Sequence, residues 1–238
     1  MRIGVFVRTF RDLEERHIQT FIETHDFADT IYVGTCLTSD ATLKILSQYP
    51  KVKTREFDGF VQVGNEWLAH ESGYYTFLYN WSLDENLDWV LMDDADHYCS
   101  PALQRDARTM LTMTDAPYAY ALLMYVWGTT HYFPELNKCC PRERLWGWNP
   151  NKWQPDINPD PPFTVEIGNQ PDRDIDRALV FPAPPYALLH HSWLTEADAQ
   201  RKMAFNAARG VAQRHPLVSC GRLEPLPEWA RLTQKSQF

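Results

Sequence analysis

An α/β domain built on a mostly parallel sheet is what this sequence predicts, and three features predict it. Short apolar runs alternate with amphipathic stretches three times within the first hundred residues, the pattern of successive βαβ units. One of these runs, Trp89 to Met92, has no polar residue inside it, as a strand buried on both faces requires. That run ends at once in Asp93, Asp94 and Asp96, and in open α/β sheets ligands gather just beyond the carboxyl ends of the strands.

Taken in order, residues 3–7 form a first strand, and Arg8-Thr9-Phe10 is the loop that leaves it. Asp12 and Glu15 are spaced as a capping box, and Leu13, Ile18, Phe21 and Ile22 follow at helical spacing. Residues 30–35 read as a second strand. Thr38-Ser39-Asp40 supplies N-cap chemistry for a helix carrying Leu43, Ile45 and Leu46, which Pro50 closes. Residues 52–57 are a third strand, and a helix from Glu66 to about Trp81, with Gly73 inside it, leads into the Trp89 strand. Right-handed crossovers place the loops at Thr9, Thr35 and residues 93–96 on one rim.

Beyond Pro101 a helix holding Leu103, Ala107, Met110 and Leu111 precedes a long strand at residues 118–127. The stretch from Pro150 to Pro185 contains nine of the chain's 17 prolines, which argues against regular helix and for extended loops and edge strands. Residues 186–189 form a strand that runs into His190-His191-Ser192-Trp193. Thr195 and Asp198 then cap a helix reaching about Arg209, with Gly210 as C-cap. The tail from Pro216 carries three prolines and wraps the domain. No internal repeat and no low-complexity segment interrupts a single domain of residues 1–238.

Charge and cysteine usage limit the classes of partner. A net charge of −8 and a pI near 5.5 indicate no general attraction to nucleic acid or anionic membrane. The five cysteines are odd in number and lack CxxC spacing, and adjacent Cys139 and Cys140 are poorly placed to bridge each other. A reducing, cytoplasmic compartment is the simpler expectation. The first apolar run is too short for a signal peptide, and no run approaches the ~18 residues of a transmembrane span. Trp127, Trp146, Trp148 and Trp153 lie in or beside the proline-rich stretch, where they either pin an irregular segment or line an acceptor groove.

The Asp cluster has two readings. It is a solvated acidic turn ahead of the Pro101 helix, or it holds a hard divalent cation that bridges to substrate phosphates. Three features, in order along the chain, resemble the GT-A class of nucleotide-sugar glycosyltransferases, broadly the family 2-like members. Asp94-Ala95-Asp96 at the end of an apolar strand is similar to the family's Asp-x-Asp motif. Thr38-Ser39-Asp40-Ala41-Thr42 resembles its Ser-Thr-Asp-Gly-Thr turn. His190-His191-Ser192-Trp193, followed by Thr195, Asp198 and Lys202, resembles a late histidine with a lysine-bearing helix. The likeness covers residues 1–100 and 186–206.

The resemblance implies a GT-A (Rossmann-like) sheet with residues 1–100 binding a nucleotide-sugar donor. Residues 101–215 would bind the acceptor and complete the metal shell, and residues 216–238 form a tail. It assigns the metal, Mn²⁺ or Mg²⁺, to Asp94, Asp96 and either His190 or His191, since strand alternation lets only one of the two face the ion while the other packs or caps; imidazole tolerates Mn²⁺ better than Mg²⁺. Donor contacts fall to Arg8, Thr9, Thr35, Asp40, Asp93, Asp94 and Lys202. Two departures stand out. The family ends its second strand in a base-reading Asp, where this chain has Gly34 and Thr35. Inverting members carry an acidic base, often in a Glu-Asp pair, which the middle region lacks. Glu143, Asp156 and Glu166 are the candidates; the apolar neighbours Val165 and Ile167 would raise the pKa of Glu166 toward that of a base. A retaining mechanism needs none of them.

The expected activity is transfer of a sugar from a nucleotide diphosphate to an acceptor hydroxyl. A saccharide or glycolipid is the expected acceptor, and a modified nucleobase or a protein is compatible with the sequence. A metal-dependent nucleotidyltransferase also uses paired Asp residues, but the Gly-rich, basic phosphate loop expected after its first strand is missing here. A non-catalytic carbohydrate-binding protein would use the tryptophans and need no metal.

Overall fold

The computed structural model of the chain describes residues 1–10, 15–63, 66–69, 71–134, 143–158, 166–168, 177–208 and 222–232. Two βαβ units open the fold: β1 (Ile3–Phe10), α1 (Glu15–Thr24), β2 (Thr30–Cys36), α2 (Asp40–Leu46) and β3 (Val52–Glu56). A hairpin of β4 (Phe60–Val63) and β5 (Glu66–Ala69) precedes α3 (Glu71–Asp84), β6 (Trp89–Asp94), β7 (His97–Cys99) and α4 (Pro101–Met113). The second half contributes β8 (Tyr118–Trp127), β9 (His131–Tyr132), β10 (Glu143–Trp148), β11 (Asp156–Asn158), β12 (Glu166–Gly168) and β13 (Ala178–Val180). It closes with β14 (Leu188–Trp193), α5 (Glu196–Ala208) and β15 (Glu224–Pro225).

The main sheet runs β3-β2-β1-β6-β10-β8-β9-β15. Its first four strands are parallel, and β10 lies antiparallel between β6 and β8. β13 and β14 run parallel to β8 along successive parts of its length. This is the helix-flanked α/β sheet, parallel across its first four strands, that the alternation of elements predicts.

Period-two alternation along the strands divides the core. Ile3, Val5, Val7, Ile31, Val33, Trp89 and Leu91 face α1 and α4, against Ile18, Phe21, Leu103 and Leu111. Phe6, Tyr32, Val90 and Met92 face α3, against Tyr74, Leu78 and Trp81. The same alternation sends Asp93 to the α1 side and Asp94 to the α3 side, so neighbouring carboxylates enter different surroundings. The capping signals act as predicted where they are described. Ser39 Oγ accepts the Thr42 N–H, and Thr195 Oγ1 accepts the Asp198 N–H at the start of α5.

Three elements differ from expectation. The helix predicted from Glu66 begins only at Glu71, because Glu66–Ala69 pairs with Phe60–Val63 instead. Two apolar-rich segments separated by Gly64-Asn65 are a hairpin signature that outweighs helical spacing there. The strand predicted at residues 186–189 runs on to Trp193, so the two histidines lie within a ladder rather than beyond it. The tail is also more than a wrap: β15 pairs with β9, and Leu226 and Ala230 are buried in the main core. Among the described residues no helix is long and apolar enough to cross a membrane, and Cys36 and Cys99 are buried in the core.

Gly147 marks the closest approach of β10 to β6. A Cβ there would lie 2.2 Å from Leu91 Cδ2 and 2.6 Å from the Val90 carbonyl oxygen. The carbonyl belongs to the sheet and cannot turn aside. Gly147→Ala should therefore destabilise the protein by about 1–3 kcal/mol, the usual cost of overpacking, measured as a lower urea midpoint at unchanged m-value.

Candidate metal centre and donor rim

The parallel register aligns the strand ends that form the rim. Arg8 of β1 lies opposite Gly34 of β2 on one side and Asp94 of β6 on the other. Arg8 Nε is 3.5 Å from Asp94 Oδ1, and its guanidinium sits over the Tyr75 ring at 4.8 Å. The Tyr75 hydroxyl donates to Asp94 Oδ1 at 2.6 Å. Helix α3 thus clamps Asp94 from the face opposite to Asp93. Thr9 is fully buried; its hydroxyl contacts the Gly34 carbonyl and Thr38 Oγ1 and ties the ends of β1 and β2 together. Thr35 is buried beside it, and Asp40 opens α2 exposed to solvent.

Position 34 has no room for a side chain. A side chain at Gly34 would meet Tyr74 Cε2 at 2.6 Å and Leu78 Cδ2 at 2.9 Å. Tyr74 is fully buried and its hydroxyl donates to the Thr9 carbonyl at 2.9 Å. An aromatic ring therefore fills the space beside position 34.

A second cluster forms where β7 meets β14. These strands are antiparallel, with His97 directly opposite His190, and the His191 N–H donates to the Asp96 carbonyl at 2.8 Å. Cross-strand partners on one face stand about 5 Å apart at Cβ, so the ladder brings both imidazoles to Asp96. His190 Nε2 is 3.2 Å from Asp96 Oδ2, and His97 Nε2 is 3.9 Å from Asp96 Oδ1. One ligand atom from each of Asp96, His97 and His190 falls within 4.8 Å of the others. Lys202 Nζ of α5 lies 3.9 Å from Asp96 Oδ2.

Electrostatics suit this cluster to a cation. Burial pushes the Asp96 carboxyl up, but His190, Lys202 and His97 together outweigh it and hold the group well below the usual range. Burial lowers the His190 pKa to about 4 against the opposing pull of Asp96. One ionised carboxylate and a neutral imidazole are the forms that bind metal. The donor set therefore fits a divalent ion, which Asp96, His97 and His190 would hold.

Several sequence assignments change. His191, assigned to the metal, points to the other face; it stacks on Tyr98 at 4.5 Å, and Nδ1 contacts the Gly128 carbonyl at 3.1 Å. Strand alternation separates the two histidines. Asp94, also assigned to the metal, is turned by the same alternation toward Arg8 and Tyr75, outside the three-residue cluster. Asp93, assigned to the donor, is fully buried and cannot reach it. Its Oδ1 accepts from the Asp94 N–H at 3.0 Å and contacts His97 Nδ1, and its Oδ2 accepts from Trp146 Nε1 at 3.0 Å. Trp146 and Trp148 are likewise core residues, since β10 is an interior strand, and neither ring lines a groove. Trp127 and Trp153 are half-buried, against Phe133 and Tyr118. Glu143, Asp156 and Glu166 open β10, β11 and β12; their side chains lie outside the described residues.

Sequence reasoning missed His97 and Tyr75. His97 stands next to Asp96, and a histidine abutting an acidic pair at a strand end was a readable signal. Tyr75 carried none, because only the packing of α3 against β1 and β6 brings it to Asp94. Near Asp93, His25 Nε2 lies 3.5 Å from Oδ2 and 3.3 Å from Cys99 Sγ. This Cys–His–Asp group is not a nucleophile, because burial and the Asp93 charge push the Cys99 thiol well up.

No protein-family model and no curated protein matches the sequence. Among solved structures, the chain is similar to S. aureus TarS at 13% identity and a TM-score of 0.47, covering 93% of this chain and 40% of that one. A complex of TarS residues 1–349 with UDP-GlcNAc gives 16% identity and a TM-score of 0.35 over 53% of this chain and 34% of that one. A 4-diphosphocytidyl-2C-methyl-D-erythritol synthase gives 11% identity and a TM-score of 0.35 over 55% and 62%. These are partial likenesses of fold, and the chain spans well under half the length of the TarS chains it matches.

Proposed function

We propose that the protein is a metal-dependent glycosyltransferase that takes a sugar from a nucleotide diphosphate to an acceptor hydroxyl. The observation that carries this reading is the Asp96, His97 and His190 cluster, joined through residues 93–97 to the carboxyl-end rim where Arg8 and Asp94 sit. Ligands of open α/β sheets bind at such rims. A divalent cation, if held there, would supply Lewis acidity for a departing diphosphate. Asp96, His97 and His190 fix its position, and Lys202 adds positive charge on the same side. Asp94, oriented by Arg8 and Tyr75, presents a carboxylate to donor hydroxyls. With Tyr74 packed beside Gly34, base selection falls to backbone and hydroxyl groups near Thr9 and Thr35. The acceptor is a saccharide or glycolipid hydroxyl, deprotonated by Glu166, Asp156 or Glu143 if the reaction inverts.

A thermal-shift panel of nucleoside diphosphates and nucleotide sugars, UDP-GlcNAc among them, tests this with and without Mn²⁺. Ligand binding raises apparent stability by mass action, so metal-dependent stabilisation by one base identifies the donor. The reading fails if no nucleotide sugar binds and the protein instead releases pyrophosphate from a nucleoside triphosphate and a sugar phosphate.

Tyr75→Phe removes a single hydroxyl and leaves the ring under Arg8. A hydrogen bond to a charged group contributes about 1.5–3 kcal/mol. Asp94 loses one of the groups that orient it, so donor KM should rise by up to about tenfold, and the melting temperature should fall by about 2–4 °C for each kcal/mol of the bond lost. Unchanged donor KM would remove Asp94 from the donor site.

A further inference from the structure

We propose that His97 is a metal ligand set in place by the buried carboxylate of Asp93, and that the site consequently selects a first-row transition cation over Mg²⁺. The proposal rests on the reading of the site as a metal centre and specifies which ion that centre takes.

The argument starts from hydrogen-bond donors. The Asp94 backbone N–H and Trp146 Nε1–H can only donate, and they point at the two oxygens of Asp93, each at 3.0 Å. Asp93 is therefore an acceptor on both sides, and His97 Nδ1, in contact with Oδ1, carries the proton. In a neutral imidazole that leaves the lone pair on Nε2. This nitrogen lies 3.9 Å from Asp96 Oδ1, and the His97 and His190 rings meet edge to face with centroids 4.6 Å apart and an interplanar angle of 84°. A carboxylate behind a histidine whose other nitrogen meets a ligand cluster is the usual support of a metal-bound imidazole. Cis donors of an ion with bonds of about 2.0–2.3 Å stand roughly 3 Å apart; His190 and His97 reach different oxygens of Asp96 at 3.2 and 3.9 Å, and one ligand atom from each residue lies within 4.8 Å of the others, so a bound ion would draw the three together.

A histidine held only for packing would also bond Asp93, but its second nitrogen would not be held opposite His190 by ladder register. Asp93 is a positioning residue, since it touches His97 and not the ion. Two imidazoles and one carboxylate suit Mn²⁺, Co²⁺ or Zn²⁺; Mg²⁺ prefers oxygen ligands and retains its water.

Titration calorimetry of the full chain with Co²⁺ and with Mg²⁺, without nucleotide, tests the selectivity. Co²⁺ should bind about a hundredfold more tightly than Mg²⁺. His97→Ala should weaken Co²⁺ binding by about a hundredfold or more, and Asp93→Asn by about 10–100-fold. If Asp93→Asn does not fold, the ¹⁵N resonances of His97 in the wild-type protein decide its role. Nδ1 should be protonated without metal, and Nε2 should shift when Zn²⁺ is added. An Nε2-protonated His97 overturns the positioning role. Equal Co²⁺ affinity in wild type and His97→Ala, with loss in His190→Ala, overturns the ligand assignment but leaves the metal centre standing. Mg²⁺ binding as tight as Co²⁺ overturns the selectivity. Failure of every cation to bind the wild-type protein overturns the metal centre and this inference together.

Discussion

Asp96→Ala is expected to abolish metal-dependent donor binding while leaving the protein folded. The carboxylate is the one anionic group in the three-residue cluster and lies between the two imidazoles. Its loss leaves two imidazoles and no carboxylate beside Lys202, which repels a cation. Cation affinity, and with it metal-dependent turnover, should fall by about a hundredfold or more. The fold should hold because the Asp96 side chain retains 22% exposure and its structural bond is the backbone carbonyl that accepts from His191. Circular dichroism and calorimetry measured together check both halves. Wild-type turnover in this variant would sink the metal assignment, whereas collapse of the fold would move Asp96 from function to architecture.

The largest effect on stability is expected from Asp93→Ala. This side chain is fully buried and accepts from Trp146, from the Asp94 backbone and from His97, with His25 Nε2 3.5 Å from its second oxygen. Alanine strands all of those donors inside the core, where an unsatisfied polar group costs about 1–3 kcal/mol. Removing one partner from a buried charged network typically costs about 3–5 kcal/mol. For a chain of 238 residues that corresponds to a melting temperature lower by about 10 °C. Since the lost donors come from β6, β7, β10 and the turn that follows α1, the variant should expose both halves of the fold together. A melting temperature within a degree or two of wild type would show that the network contributes nothing net. The expectation contrasts with Asp96→Ala: three residues along the same turn, one carboxylate serves the core and the other the cation.

Chemical type and linear order were legible in the sequence. The apolar runs at β1, β2 and β6, separated by helices with an apolar stripe, require a sheet covered on both faces, because no other arrangement buries both. Asp96 and His190 were identifiable as metal candidates because a strand-end carboxylate cluster and a late histidine are unusual at those places. Facing and register were not legible. Which of the three carboxylates joins the cluster with His97 and His190 depends on the opposite facing of Asp93 and Asp94 on β6 and on the turn that carries Asp96, and the choice between His190 and His191 depends on the pairing of β14 with β7. A shift of one residue in that ladder would exchange the two histidines between faces, and nothing local in His190-His191 prefers either register. The long-range contacts decided: Tyr98 stacking on His191, Tyr75 from α3 reaching Asp94, and Trp146 from β10 reaching Asp93. Each is a contact between segments 19 to 93 residues apart in sequence, made only when the burial of the whole core outweighs the entropy of bringing those segments together.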